Sequence, residues 1–223
     1  MNLRICVSIL PKTTTEALRL MEKAEESSAD FIEVRLDNLE NLQGLRDLAA
    51  HTKIPKIATN KSPSAAEKQR QKSLLDAAKN GFNYADLDLS SQNLKQAVKE
   101  TKALGAKCIL SFHDFNGSLL LSDLNDILKK QVLNGADVCK IVTTPKQIEE
   151  NLTLLQFVQT ASAKAKVVCF GMGELGKTSR LLSPAFGAFF TFASIERGSE
   201  TAPGQMTVDE MKGAYELLGL NRV

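Results

Sequence analysis

Two residues of this chain, a histidine and a lysine, have side chains that could act together on a carbonyl compound. His113 ends the β-prone run 107–113, and Lys140 lies among apolar, β-prone neighbours in the run 136–142. A neutral lysine amine attacks a ketone or aldehyde to give an iminium, which acidifies the adjacent carbon. A histidine near that carbon could move the proton, because its pKa lies close to neutrality. The pair therefore indicates acid/base catalysis beside amine chemistry.

Each of the two residues also has an ordinary structural explanation. Lys140 could point outward between helices, or inward, where burial would lower its pKa toward neutrality and make it nucleophilic. His113 could be a hydrogen-bonded core histidine, or a general base that the following Asp114 orients. Their presence on neighbouring predicted strands favours the catalytic interpretation of both. The other histidine, His51, follows a helical pattern and is expected to be structural at the helix carboxyl end.

The elements that must position these residues follow a repeated strand and helix pattern. Segments with apolar residues at helical spacing separate eight short β-prone runs. The runs are 3–9, 30–36, 55–59, 84–89, 107–113, 137–142, 166–170 and 189–195. Eight such repeats predict a parallel, eight-stranded sheet that closes as a (β/α)8 TIM barrel. The chain length of 223 residues fits a single domain over 1–223.

Functional side chains of a TIM barrel gather where the strands end. The ends of predicted strands two, four and five carry Glu33, Arg35, Asp86, Asp88, Ser111 and His113. Because strand side chains alternate, Glu33 shares a face with Arg35, and Ser111 shares a face with His113. Both pairs are therefore expected at one mouth of the barrel. Glu33 and Arg35 could form a plain ion pair or hold substrate hydroxyl groups, and the sequence leaves both possibilities open.

The segment 171–176, Gly-Met-Gly-Glu-Leu-Gly, matches the G-x-G-x-x-G pattern of dinucleotide-binding loops. That motif normally follows the first strand of a six-stranded domain, whereas only one predicted strand remains after it here. We therefore favour an anion site, since the loops after strands seven and eight bind anions in many barrels. Arg180 could add a clamp for a carboxylate or be a solvated helix charge. The polar loop 198–205 has glycines and a proline that suit a lid.

The composition argues against several classes of protein. The 28 basic and 26 acidic residues are scattered, so a net charge of +2 indicates neither a nucleic-acid nor a membrane partner. No apolar run approaches the roughly 20 residues of a spanning helix, and residues 1–12 lack a signal-peptide pattern, so a cytoplasmic location is expected. The cysteines lie in separate apolar runs without zinc-ligand spacing and are expected to be buried thiols. They are Cys6, Cys108, Cys139 and Cys169.

In combination, the motifs resemble those of the type I 3-dehydroquinate dehydratase family, in order and across nearly the whole chain. They are Glu33-Val34-Arg35-Leu36-Asp37, Ser111-Phe112-His113-Asp114-Phe115, Lys140, Met172-Gly173-Glu174-Leu175-Gly176 with Ser179-Arg180, and Ala202-Pro203-Gly204-Gln205. The resemblance implies a TIM-barrel enzyme of the shikimate pathway that converts the small molecule 3-dehydroquinate to 3-dehydroshikimate and water. It implies no cofactor and no metal, and it allows a homodimer.

The resemblance also implies a catalytic role for three residues. Lys140 would form a Schiff base with the C3 ketone of the substrate. His113 would take a proton from C2 and then protonate the departing C1 hydroxyl. Glu33 would help to position His113 and would hold ring hydroxyl groups.

A second group of residues is implied to bind substrate. Its members are Ser8, Arg35, Asn60, Met172, Arg180, Phe192, Thr201, Ala202 and Gln205. Arg35 would hold ring hydroxyl groups, while Arg180 and Gln205 would bind the substrate carboxylate. Thr201 occupies the usual serine position and preserves the hydroxyl.

The segment after the third predicted strand departs from the family pattern. The family carries Thr-x-Arg followed by Glu-Gly-Gly, whereas this chain has Thr59-Asn60-Lys61 and then Ser64-Ala65-Ala66. We interpret Asn60 and Ser64 as replacing the usual arginine and glutamate, with Lys61 as a replacement cation displaced by one position. Weaker substrate binding or lid closure is expected, while the catalytic pair stays intact.

Two other functions are compatible with the sequence. A Schiff-base aldolase or transaldolase on the same barrel would share Lys140 but usually acts on phosphorylated sugars, whereas Arg180 and Gln205 favour a carboxylate. A non-catalytic barrel that binds a small acid fits the altered loop after strand three, although the pairing of His113 with Lys140 argues against it.

Overall fold

The computed structural model describes residues 3–220, and within them eight parallel strands form one sheet. The strands are β1 (Ile5–Ile9), β2 (Phe31–Arg35), β3 (Lys56–Thr59), β4 (Tyr84–Asp88), β5 (Lys107–His113), β6 (Val138–Thr143), β7 (Val167–Gly171) and β8 (Thr191–Ala193). Each strand overlaps one of the predicted β-prone runs, so the predicted eight-stranded TIM barrel is confirmed.

The strand order is β7-β6-β5-β4-β3-β2-β1-β8, so the barrel closes between β7 and β8. At this seam the Phe189 amide donates to the Val167 carbonyl oxygen at 2.7 Å, next to the starts of the two strands. The seam brings the carboxyl end of β7 beside that of β8. The loops that follow these two strands therefore lie at the same mouth.

Helices cover the outside of the barrel. They are α1 (Thr14–Glu26), α2 (Leu45–Ala50), α3 (Glu67–Lys79), α4 (Leu94–Ala103), α5 (Leu121–Leu133), α6 (Glu150–Ala161), α7 (Lys177–Leu182) and α8 (Val208–Leu217). His51 caps the carboxyl end of α2, as predicted. Within residues 3–220, we find no helix of the length and apolarity that a membrane crossing requires.

Side chains at the amino ends of three strands hold the register of the sheet. Asp30, Asn83 and Asp137 each stand immediately before an even-numbered strand. Their side-chain oxygens accept hydrogen bonds from backbone amides of the preceding strand, those of Ile5, Lys56 and Cys108, at 2.7 to 2.8 Å. Since a shift of one residue would turn every inward side chain outward, this register decides which residues face the barrel interior.

Apolar side chains fill the barrel interior below its mouth. One buried apolar cluster contains at least one residue from every strand: Cys6, Phe31, Ile57, Tyr84, Ile109, Val138, Val168 and Phe192. The four cysteines are buried and unpaired, as predicted. Polar side chains on the inward faces therefore stand above a packed apolar floor, and the barrel is a core rather than a pore.

The glycines of the segment 171–176 serve close packing between β7 and α7. A Cβ on Gly176 would lie 2.3 Å from the backbone carbonyl carbon of Gly171, a separation that real side chains do not adopt. Ser179 accepts a hydrogen bond from the Gly171 amide at 2.8 Å, and its own amide donates to Asn151 at 3.1 Å. This contact places the short helix α7 directly against the barrel.

We predict that Gly176→Ala lowers the free energy of unfolding by about 1 to 3 kcal/mol, because the new methyl group overpacks the β7–α7 contact. Gly213→Ala in α8 is the matched control, because a Cβ there meets no atom within 4 Å. That variant should gain about 0.5 to 1 kcal/mol from helix propensity. Urea unfolding curves measure both changes. Wild-type stability of Gly176→Ala would contradict the packing role.

Candidate active site

A cavity of about 870 Å³ opens at the carboxyl ends of the strands. Its wall contains most of the residues that the sequence predicted for the site: Glu33, Arg35, Asn60, His113, Lys140, Met172, Arg180, Phe192, Thr201, Ala202 and Gln205. The remaining predicted residue, Ser8, lies behind Glu33, to which its hydroxyl donates a hydrogen bond. The barrel thus brings residues from distant parts of the chain to one mouth.

Lys140 points inward from β6 and is only 6% exposed. Its Nζ lies 2.9 Å from Asp86 Oδ2 and 3.6 Å from Glu33 Oε1. The same ammonium lies 4.3 Å from the centre of the Phe192 ring. Glu33, Asp86, Lys140 and Phe192 come from β2, β4, β6 and β8, the alternate strands that supply one layer of a barrel interior.

The predicted direction of the Lys140 pKa is wrong. Burial alone would lower the pKa of this amine, as the sequence argument assumed, but Asp86 and then Glu33 outweigh burial and raise it. Local sequence indicates burial of Lys140 but not its two carboxylate neighbours, which lie 54 and 107 positions away in the chain. Lys140 is therefore an ammonium in the free protein at neutral pH.

Asp86 and Lys61 belong to the site although neither was among the catalytic and binding residues that the resemblance implied; the sequence indicated Asp86 only as a strand-end residue and Lys61 only as a replacement cation. Asp86 Oδ1 accepts hydrogen bonds from Lys61 Nζ at 3.0 Å and from the Ser111 hydroxyl at 2.5 Å. Burial opposes ionisation of Asp86, but the charges of Lys140 and Lys61 outweigh burial and lower its pKa. A sequence signal existed, since Asp86 alternates with the apolar residues of β4 and must face inward.

The loop after β3 differs from its sequence interpretation. The expected displacement of Lys61 is wrong, because Lys61 stands two residues after Thr59, as the arginine of Thr-x-Arg does, and its side chain reaches the cavity. The Asn60 amide group instead donates to the Ser73 hydroxyl at 2.9 Å, which turns it toward α3. The Ser64 hydroxyl lies 3.2 Å from that of Ser62. Lys61 therefore brings a positive charge from this loop into the cavity, while Asn60 and Ser64 form hydrogen bonds within the loop and to α3.

His113 ends β5 with its ring stacked on Phe115, at 6.0 Å between ring centres. Neither ring nitrogen makes a hydrogen bond to any residue in the described range. The prediction that Asp114 orients the ring is wrong, because Asp114 Oδ1 accepts from the Asn116 amide at 2.8 Å and shapes the turn. Burial, together with the positive charges of Lys140 and Lys61, lowers the pKa of His113 to about 3. At neutral pH the ring is an uncharged base.

The two charged residues of β2 have different partners. Glu33 accepts hydrogen bonds from Ser8 and from the Thr59 hydroxyl, the latter at 2.8 Å. No Glu33–His113 hydrogen bond is formed, so the implied positioning contact is absent from the described residues. Arg35 forms a two-point ion pair with Asp37, at 2.9 and 2.7 Å, and not the Glu33 pair considered from the sequence. Both residues still line the cavity.

Arg180 points from α7 into the cavity and is 1% exposed, so it is not the solvated helix charge that the sequence allowed. Its guanidinium carbon lies 4.3 Å from the centre of the Phe170 ring. Nη2 donates to the Pro203 carbonyl oxygen at 3.3 Å, while Nε is buried and has no hydrogen-bond partner within residues 3–220. Burial lowers the pKa of Arg180 to about 10, so the residue is still a cation at neutral pH.

The loop 198–205 lies over the cavity. The Thr201 hydroxyl donates to the Ser8 hydroxyl at 2.8 Å, and the Thr201 amide donates to Gln205 Oε1 at 2.7 Å. The Pro203 carbonyl oxygen accepts from the Gly173 amide at 3.0 Å. The loop therefore joins the ends of β1 and β7 and carries Gln205 to the side of the cavity where Arg180 lies.

Comparisons with known proteins agree with this architecture. The family model described as type I 3-dehydroquinase matches residues 5–222. A 3-dehydroquinate dehydratase of Coxiella burnetii is 35% identical over 221 residues, covering 96% of this chain and 92% of the relative. One from Methanothermobacter thermautotrophicus is 35% identical over 217 residues, covering 94% of each chain.

A solved structure has the same fold. The 3-dehydroquinate dehydratase from Geobacillus kaustophilus superposes with a TM-score of 0.87 and 22% identity, covering 98% of this chain and 92% of the other. The family match spans almost the whole barrel, including the strands that carry Lys140 and His113. The chain therefore belongs to the type I 3-dehydroquinase family, a family of dehydratase enzymes.

Proposed function

We propose that this protein acts in the shikimate pathway and converts 3-dehydroquinate to 3-dehydroshikimate and water through an imine on Lys140. The observation that carries the proposal is the buried Lys140 ammonium, held between Asp86 and Glu33 beneath an uncharged His113. A charged lysine beside an uncharged histidine suits a reaction that uses one as the imine-forming amine and the other as the general base. The family membership supports the choice of substrate.

Lys140 must lose a proton to water before it attacks the C3 ketone, because the lowered pKa of Asp86, 2.9 Å away, keeps that carboxylate ionised. Attack gives a carbinolamine, and loss of water from it gives an iminium that carries the same positive charge as the starting ammonium. Asp86 and Glu33 therefore stabilise the iminium without rearrangement, because they are already arranged around a cation. This pre-arrangement is the main electrostatic contribution of the site.

His113 moves the protons in the following steps. The iminium draws electrons from C2, and the uncharged imidazole takes the C2 proton to leave an enamine. The enamine then expels the C1 hydroxyl, which His113 protonates, so that water departs and the ring forms its double bond. Hydrolysis of the remaining iminium consumes one water, releases 3-dehydroshikimate and returns Lys140 to its amine form.

The carboxylate of the substrate binds to Arg180 and Gln205 in this proposal. Arg180 is a buried cation that contacts a carbonyl oxygen and an aromatic face, and a buried charge is best compensated by an opposite charge. Glu33 and Arg35 hold the ring hydroxyl groups. Around them, the polar positions are Ser8, Asn60 and Thr201, and the walls are Ala202, Met172 and Phe192.

We predict that borohydride added with 3-dehydroquinate fixes the ligand on Lys140, because reduction makes the iminium permanent. Peptide mapping by mass spectrometry locates the adduct, and Lys140→Met should lose both adduct and turnover. Lys56 is the matched control. It is also a buried lysine, but it lies at the opposite end of the barrel, and burial lowers its pKa. Adduct on Lys56 in place of Lys140 would refute the imine assignment.

The same sample tests the reaction as well as the imine. Formation of the conjugated enone product is followed by ultraviolet absorbance. Adduct without enone would favour the Schiff-base aldolase alternative, and the absence of both would favour a binding protein.

His113→Ala should separate amine attack from proton transfer. The adduct on Lys140 should still form, while turnover falls by about 10² to 10⁴-fold, the usual contribution of a general acid/base group. His51→Ala, which changes the histidine that caps α2, should keep the wild-type rate. A loss of less than about tenfold in His113→Ala would indicate a different base.

We predict that the His113 ring stays uncharged at pH 5, well below the usual histidine pKa of about 6.5. A lowered pKa means that protonation sets in only as the pH falls toward about 3. NMR of the ring protons measures this titration, and the spectrum of His113→Gln assigns the signal between the two histidines. A midpoint near 6.5 for His113 would contradict the described electrostatics.

A further inference from the structure

The cavity contains a second lysine that the imine mechanism does not use. Lys61 follows β3 by two residues, and its side chain is 26% exposed. Its Nζ lies 3.0 Å from Asp86 Oδ1, 2.9 Å from the Ser111 hydroxyl and 4.0 Å from Asp88 Oδ2. Its backbone amide also donates to Asp37 Oδ1 at 3.3 Å. Lys61 is therefore held in place at both its backbone and its ammonium.

Asp86 is shared between the two ammonium groups, one on each carboxylate oxygen. Oδ1 faces Lys61 and Oδ2 faces Lys140. The carboxylate is fully buried, so its charge is weakly screened and its orientation is set by these contacts. One negative charge is thus divided between two positive charges.

We propose that Lys61 is a positioning residue that shares Asp86 with Lys140 and so weakens the hold of that carboxylate on the Lys140 proton. The inference rests on the proposed imine chemistry, in which Lys140 has to release that proton. Lys61 also keeps Asp86 turned with Oδ2 toward Lys140, because Oδ1 is occupied by Lys61 and Ser111. Lys61 therefore both orients Asp86 and weakens its attraction for the Lys140 ammonium.

The other charges around Lys140 make the sign of this effect definite. The titratable and charged groups that face it or its two carboxylates are Cys6 from β1, Glu33 and Arg35 from β2, Lys61 after β3, Asp86 and Asp88 from β4, His113 from β5 and Arg180 from α7. Burial raises the pKa of the Cys6 thiol, so Cys6 is neutral. His113 is neutral as well, and Arg35 is paired with Asp37.

Within the inner cluster, the charges of Lys61 and Lys140 balance those of Glu33 and Asp86. Without Lys61 the two carboxylates would face a single ammonium, and Lys140 would keep its proton to a higher pH. A charge removed a few ångströms away in a poorly screened site shifts such a titration by on the order of one pH unit. Asp86 contacts both lysines directly. Removal of Lys61 should therefore shift the titration of Lys140 more than removal of a lysine at the rim of the cavity.

The test exposes the ligand-free protein to a fixed dose of acetic anhydride at each pH from 6 to 11, and mass spectrometry gives the extent of acetylation at each lysine. The midpoint is the pH at which half of Lys140 is acetylated, which lies below its raised pKa and moves with it. The midpoint for Lys140 should move up by about one pH unit in Lys61→Met and in Lys61→Gln, and Lys61→Arg should return it toward the wild-type value. Lys146→Met removes an exposed lysine that follows β6 and should leave the midpoint unchanged.

An unchanged Lys140 midpoint in both neutral variants, with folding verified by circular dichroism, would overturn the inference. A residue that only binds substrate would alter KM without moving this ligand-free titration. Borohydride trapping in the wild type is read separately. Failure of trapping together with a shifted midpoint would refute the proposed imine and leave the electrostatic role of Lys61 standing, whereas trapping with an unmoved midpoint would refute that role alone.

Discussion

A buried ammonium group costs several kcal/mol to remove from water unless an opposite charge compensates it. Lys140 meets this requirement with Asp86 at 2.9 Å and Glu33 at 3.6 Å, on strands two and four places removed along the sheet. The barrel makes the arrangement possible, because alternate strands direct one side chain each into the same layer. The packed apolar layers beneath exclude water, so these charges interact more strongly than they would on a surface.

The same charges move the pKa values of the two predicted catalytic groups, Lys140 and His113, in opposite directions. The carboxylates raise the pKa of Lys140, while the ammonium groups of Lys140 and Lys61, together with burial, lower that of His113. One group is consequently a cation and the other an uncharged base over the whole neutral range. Neighbouring titratable groups whose environments push their pKa values apart are the usual arrangement for acid/base chemistry.

Arg180 is also a buried cation, but its neighbours differ from those of Lys140. Lys140 has carboxylates from the protein itself, whereas Arg180 contacts the Phe170 ring and the Pro203 carbonyl oxygen. The packing of Gly171 against Gly176 brings Arg180 to the cavity, and the loop 198–205 covers it. Lys140 is thus compensated by the protein, whereas Arg180 meets no carboxylate among the described residues, which suits the anionic ligand that we propose for it.

The number and order of the strands, the strand-end position of His113 and the family could be predicted from the sequence. Those features follow from periodicities of two and of 3.6 residues and from local motifs, which act over a few residues. The tertiary structure was needed to show that Lys140 points inward with a raised pKa, that Arg35 pairs with Asp37, and that Lys61 reaches Asp86. Alternation tells which face a side chain occupies, but electrostatic interactions depend on distances between strands, which the closure and register of the barrel set.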